Sequence, residues 1–241
     1  MTTGSNLPEP TFDVQWEEVY AQGLQLNRWP YDHIVSFFKR APAHLSAVPG
    51  RPISLMEVGF GAGNNLLAAA TEGLDVYGIE GSSSAVSVAR QRFSEAGLQS
   101  DLRHGDFTQL PWDDEVFDLV IDRLALTNTT PEGAITAVGE VWRTLQVGGL
   151  FHFNSFGPAY AGVSESELAQ GHVRKHDLAG SLKNVGGVTF YAESGVQDLF
   201  SRNNWTLEAF QLLTIESVMP VTELQPNKVI TEWRVIARKE R

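Results

Sequence analysis

Ile53-Ser54-Leu55-Met56-Glu57-Val58-Gly59-Phe60-Gly61-Ala62-Gly63-Asn64 is the stretch whose reading decides the fold. Ile53 to Val58 is a short apolar run carrying one carboxylate, which predicts a strand. Three glycines at alternate positions follow, and then the alanine- and leucine-rich Asn64 to Glu72 predicts a helix closed by Gly73. A strand, a glycine turn and a helix in that order bring backbone N–H groups beside a ligand, and glycine lets the ligand approach without a Cβ in the way. A dinucleotide fingerprint spaces its glycines G-x-G-x-x-G. Here the third position is Asn64 and the last glycine comes one residue early, at Gly63. No Gly-Lys-Ser/Thr follows, which excludes a phosphate-binding P-loop. Glu57 would repel a pyrophosphate but suits a cation. At about 4 Å and an effective dielectric near 20, such a pair involves on the order of 4 kcal/mol before desolvation.

Working outward, strands are expected at Asp75 to Glu80, Leu102 to His104, Phe117 to Asp122 and Leu150 to Asn154. Between them, Ser82 caps a helix running to Ala96, and Thr130-Pro131-Glu132 opens another running to about Leu145. Alternating strands and helices joined by short turns predict a doubly wound, mostly parallel α/β sheet. Later elements are a helix over Glu193 to Arg202 and strands over Thr206 to Ser217 and Lys228 to Ala237. The expected division is a loose leader, 1–13, and one domain, 14–241. That domain comprises an N-terminal helical cap (14–45), a ligand-binding core (53–154), a glycine-rich lid or substrate segment (155–190) and a C-terminal helix with strands (191–241). Carboxylates end three neighbouring strands, at Glu57, Glu80 and Asp106, and converge on the crevice where such sheets bind ligands. Glu80 can accept from a ribose diol and Asp106 from an exocyclic amine, while Phe107 can lie on a purine face. Adenosine with a cationic tail satisfies all three.

The 241 residues, 42% apolar and 20% charged, can bury one sizeable core. No stretch approaches the roughly 18 apolar residues that span a bilayer, and the first residues lack a signal-peptide pattern, so the expectation is a cytoplasmic protein, monomer or homodimer, without membrane association. A net charge of −11 with scattered lysines and arginines opposes nucleic acid and favours a small-molecule or neutral acceptor, although acidity that merely keeps the protein soluble is an equal alternative. The chain has no cysteine, which removes disulfides, thiolate metal sites and cysteine nucleophiles.

These motifs together resemble the class I S-adenosylmethionine-dependent methyltransferases, small bacterial type, across about residues 53 to 154. In that family an acidic residue and G-x-G-x-G line the methionine end of the cofactor, matched by Glu57-Val58-Gly59-Phe60-Gly61-Ala62-Gly63. The acidic end of the second strand, the ribose residue, matches Glu80 with Gly81, and the aspartate at the adenine amine matches Asp106 in Gly105-Asp106-Phe107. Phe117 to Asp122 and the Gly148-Gly149 turn resemble the family's fourth strand and helix-to-fifth-strand turn. The resemblance implies a Rossmann-like sheet of seven strands with an antiparallel last strand. It implies S-adenosyl-L-methionine as cofactor, and methyl transfer by in-line displacement to an oxygen or nitrogen of a small molecule. Proximity alone can supply about 7–11 kcal/mol of such a barrier. The family's Asn/Asp-Pro-Pro-Tyr/Phe signature is absent, Asp122-Arg123-Leu124-Ala125 standing in its place.

Asp122 and Arg123 fall where cofactor meets acceptor, a position equally suited to a structural salt bridge. Tyr20, Asn27, Arg28 and Tyr31 in the N-terminal helices, with Asn154, Phe156 and Tyr160 at and beyond the fifth strand, are the candidate acceptor residues, although such stems also serve packing. His152, His172 and His176 are the candidate bases, each with a purely structural alternative. His172 and His176 have metal spacing but no third ligand nearby, so no metal site is expected. Two other classes stay open: a catalytically silent S-adenosylmethionine-binding protein and a nucleotide-cofactor oxidoreductase.

Overall fold

The structure, a computed structural model, describes residues 11–45, 50–159, 163–178, 182–183, 185–218 and 229–241. The first ten residues of the expected leader and the candidate Tyr160 lie outside the described residues.

Five parallel strands form the heart of the molecule: β1 (Ser54–Val58), β2 (Asp75–Glu80), β3 (Asp101–His104), β4 (Phe117–Asp122) and β5 (Leu145–Phe156). They line up β3-β2-β1-β4-β5. Beyond β5 lies β9 (Val229–Lys239), antiparallel to it from Leu150↔Arg238 to Phe156↔Glu232. β8 (Trp205–Glu216) pairs antiparallel with β9 at the edge. These seven strands are the expected Rossmann-like sheet, with the last strand reversed. Two more, β6 (His172–Lys175) and β7 (Val188–Tyr191), pair antiparallel with each other and meet β5 only at Phe156↔Phe190. They lie in the segment read as a lid, where neither was expected.

Strand alternation divides the core into two layers. Leu55, Leu119, Ile121 and Leu150 face α2 (Asp32–Arg40), α3 (Asn64–Thr71) and α4 (Ser83–Ala96). Met56, Val58, Val120, Phe151 and Phe153 face α5 (Pro131–Thr144) and α6 (Glu193–Phe200). With helices on both sides, β1 and β4 are buried along their whole length, which is why they read as continuous apolar runs rather than alternating ones. Local chemistry sets the helix starts. Ser82 Oγ accepts from Ala85 N at 3.1 Å to open α4, and Thr130 Oγ1 accepts from Gly133 N at 3.1 Å to open α5 behind Pro131. The turn after β1 has Gly59, Gly61 and Gly63 at φ of 63°, 53° and 76°, left-handed values that explain the glycines at those three positions. A short α1 (Gln15–Ala21) precedes α2 and lies against α4.

Candidate functional site

The carboxyl ends of β1 to β4 open onto a cleft of about 360 Å³. Its wall includes Gly59, Glu80, Gly81, Phe107 and Arg123 from the sheet side, and Tyr20, Asn27 and Tyr31 from the N-terminal cap. Phe156, Ile230 and Glu232 close the far side. This is the crevice that the parallel topology requires, and the sequence had pointed to most of these residues.

Beneath the cleft lie three buried carboxylates. Glu57 Oε1 accepts from Asn65 Nδ2 at 2.7 Å, while its Oε2 is buried with no hydrogen-bond partner among the described residues. Burial, reinforced by Asp122 and Glu80, pushes Glu57 up to about 8 against the relief supplied by Asn65. Asp122 Oδ1 accepts from Ala125 N at 2.8 Å and Leu126 N at 3.2 Å, and its Oδ2 is likewise buried and unpartnered. Its burial raises it to about 7. Glu80 accepts from Gly61 N and Ser82 N, both at 2.8 Å, and burial holds it too above the ordinary carboxylate range. A buried charge without a partner is costly, so two orphaned carboxylate oxygens beside a glycine turn fit a ligand that brings positive charge or hydrogen-bond donors. Asp122 and Arg123 form no salt bridge. Arg123 instead lies 3.9 Å over the Tyr31 ring, its Nε buried and unpartnered and its head on the cleft wall.

The glycine turn makes room in two ways. A Cβ at Gly61 would stand 2.5 Å from the Tyr20 hydroxyl, which lies over the turn. A Cβ at Gly63 would meet Ala89 at 3.0 Å, so that glycine serves the approach of α3 to α4. Phe60 turns away from the cleft, buried against Gly78 and Leu66. Gly105 lies over Ile79, and Asp106 is engaged inside the protein: Oδ1 accepts from Thr108 N at 2.8 Å and Thr108 Oγ1 at 2.7 Å, and Oδ2 accepts from the Thr11 hydroxyl. These bonds anchor Thr11 and the turn after β3, and Phe107 is the residue of that loop on the cleft wall.

Asn27 Nδ2 donates to the Tyr31 hydroxyl at 2.9 Å, a pair that frames the cap side of the cleft, whereas Arg28 is exposed and away from it. Asn154 is buried in the sheet, donating to Trp233 O at 2.8 Å. None of the three candidate histidines lines the cleft. Strand parity decides His152: it shares a face with Leu150 and lies under α2, its ring 5.2 Å from Phe37 and 5.4 Å from His33. There burial pulls it down to about 3. His172 stands on β6 beside Tyr191, and His176 follows β6 next to Gly187.

The cleft also has residues that were not foreseen. Thr11, Phe12 and Asp13, from the expected loose leader, line it, as do Leu182, Val185 and Glu232 from distant segments. Asn65 holds both Glu57 and the N-terminus of α2, accepting from Tyr31 N at 3.1 Å. The one available signal was two adjacent asparagines opening an otherwise apolar helix.

Residues 55–149 match the family model of the methyltransferase domain. An uncharacterized methyltransferase of Geobacillus kaustophilus is 25% identical over 213 residues, 83% of this chain and 95% of that protein. Among solved structures, an S-adenosylmethionine-dependent methyltransferase of Methanosarcina mazei superposes with a TM-score of 0.65 at 18% identity, covering 88% of this chain and 99% of that one. A structure solved for the conversion of a disulfide bond into a thioacetal group during echinomycin biosynthesis superposes with a TM-score of 0.65 at 20% identity, covering 93% of this chain and 92% of that one. The family match over residues 55–149 and the Rossmann-like fold support a class I S-adenosylmethionine-dependent methyltransferase.

Proposed function

We propose that this chain binds S-adenosyl-L-methionine in the cleft and moves its methyl group to an oxygen or nitrogen of a small-molecule acceptor. The observation that carries the reading is the nest of three buried carboxylates beside the left-handed glycine turn, with Glu57 Oε2 and Asp122 Oδ2 unpartnered. When bound, the cofactor supplies an electrophilic methyl group on a sulfonium. Glu57, Gly59 and Gly61 would hold its charged end, and Glu80 its ribose, since each Glu80 oxygen keeps a lone pair after accepting from a backbone N–H. The acceptor would enter between the cap, at Asn27 and Tyr31, and Phe156 with Glu232.

Arg123 is the one cation on this wall among the described residues, and it offers its guanidinium to an anionic group inside the cleft. Tyr20 keeps its proton well beyond neutral pH, because burial and then Glu80 disfavour the phenolate. It therefore acts as a donor and not as a base. Catalysis on this account is orientation and exclusion of water by the cap, in a cleft with no histidine on its wall. Small-molecule acceptors fit both a cleft of about 360 Å³ and the net charge of −11, and we place the reaction in the cytoplasm. Among the described residues no helix is long and apolar enough to cross a membrane.

The test has two arms. Calorimetry with S-adenosylmethionine, S-adenosylhomocysteine and NAD is expected to show binding of the first two only, and failure of the sulfonium ligand to bind would sink the reading. Tritiated methyl transfer into metabolite extracts is expected to label a small molecule. Binding without any transfer would favour the silent cofactor-binding alternative.

A further inference from the structure

Residues Thr11 to Ala21 run as a strap across the carboxyl ends of β1, β2 and β3, and the side chains that fasten it come from every part of that rim. The Thr11 hydroxyl donates to Asp106 after β3. Asp13 Oδ2 accepts from Gly187 N at 2.8 Å. Glu17 accepts from the hydroxyls of Ser82 and Ser84, both at 2.6 Å, at the start of α4, and these bonds hold its carboxyl down near 2. Tyr20 lies over Gly61.

Phe12 occupies a special place in this strap. Gly81 follows Glu80 directly on the cleft wall, and its missing side chain leaves the rim bare at that point. The Phe12 ring stands in the space that a side chain on residue 81 would fill, in direct contact with that glycine. The cleft remains open with Phe12 in position, and both Phe12 and Phe107 belong to its wall. A purine needs a flat apolar partner, and base–aromatic stacking is a strong, geometry-dependent contribution to binding.

We infer that Phe12, carried in by the N-terminal strap, is the aromatic wall against which the adenine of the cofactor stacks, standing in for the side chain that Gly81 lacks. The inference rests on the cofactor reading above. It assigns the strap a binding role: Thr11, Asp13 and Glu17 are positioning residues that fix where Phe12 stands.

Calorimetry on the full chain with S-adenosylmethionine, S-adenosylhomocysteine and adenosine tests this. Phe12→Ala is expected to weaken all three ligands about tenfold or more. Phe12→Leu, which keeps the apolar contact with Gly81 but not the flat face, is expected to stay weak. Phe12→Trp is expected to restore affinity and to add a ligand-dependent quench of tryptophan emission beyond that of the wild type, whose Trp16 also lines the cleft. Unchanged melting temperatures would show that the strap variants fold. If the wild type binds but Phe12→Ala or Phe12→Leu binds equally well or more tightly, the inference is overturned and the cofactor reading stands. If the wild type binds none of the three, both fall.

Discussion

A cation that binds beside Glu57 must displace a proton, because in the free protein this carboxyl is pushed up to about 8 and is therefore mostly protonated at neutral pH. If the bound charge returns it to its ordinary value of 4.5, affinity falls about tenfold for each pH unit below 8, or roughly 50-fold between pH 8 and pH 6. Asp122, raised to about 7, steepens the fall below that pH. The sign follows from linkage: the free state holds more protons than the bound state, so lowering pH favours the free state. Calorimetry with S-adenosylmethionine from pH 6 to 8 reads the dissociation constant. Repeating it at pH 7 in buffers of different ionisation enthalpy reads the protons released, expected at about one per ligand from Glu57 and roughly half of one more from Asp122. Glu57→Gln keeps a group that can face Asn65 but cannot titrate. It should bind more weakly at pH 8 and lose most of the pH dependence. A dissociation constant that is flat from pH 6 to 8, with no buffer dependence of the heat, would refute both the protonated state of the nest and its role as the seat of a cation.

The same shifts govern the protein without ligand. Glu57 is raised in the folded state, so between 4.5 and about 8 the folded protein holds the extra proton and stability declines as pH rises. Glu57→Gln should therefore raise the melting temperature at pH 8 more than at pH 6, which thermal melts at the two values would read. His152 is depressed to about 3, so its stability contribution is lost as pH falls from 6.5 toward 3, where only the unfolded chain takes the proton. His152→Phe should move the acid-unfolding midpoint to lower pH, and an unmoved midpoint would argue against its burial as a neutral ring. Glu80→Ala removes both ribose acceptors and leaves Gly61 N and Ser82 N without their partner, with an expected loss of about 2–4 kcal/mol in cofactor binding by calorimetry. Gly61→Ala faces φ of 53° and the Tyr20 hydroxyl at 2.5 Å, so denaturant unfolding should show a loss of about 1–2 kcal/mol.

The parts of this protein that could be read in the sequence are those whose cause is local. β1 and β4 are legible as apolar runs because helices bury both their faces, and the turn after β1 because three positions demand left-handed backbone. Glu57 announced itself as a carboxylate ending an apolar strand, and the structure gives that anomaly its physical form in an orphaned buried oxygen. β6 gave no such signal. His172, Val173, Arg174 and Lys175 are all half-buried, so the strand owes its existence to pairing with β7 rather than to a buried face. Asp106 shows the reverse case: a motif position matched by residue type, whose bonds to Thr108 and Thr11 no sequence signal announced.

The strap escaped the sequence reading because every contact that holds it is distant. Thr11 and Asp106 are 95 residues apart, Asp13 and Gly187 are 174 apart, and a short stretch with a proline beside it and no apolar period reads as a tail. Yet the vacancy it fills was visible, since Gly81 directly follows the expected ribose carboxylate and leaves a ligand-facing rim without a side chain. A glycine there admits two explanations: free approach by the ligand itself, or approach by another part of the chain. Only the folded structure separates them, and it puts the Phe12 ring against Gly81. The bare position in one segment and the aromatic residue in another are therefore two halves of one wall. Substituting Gly81 by Leu is the complementary experiment: a side chain there would expel Phe12, and ligand affinity in that variant should no longer respond to Phe12→Ala. Full sensitivity to Phe12→Ala in the Gly81→Leu background would break the pairing of the two sites.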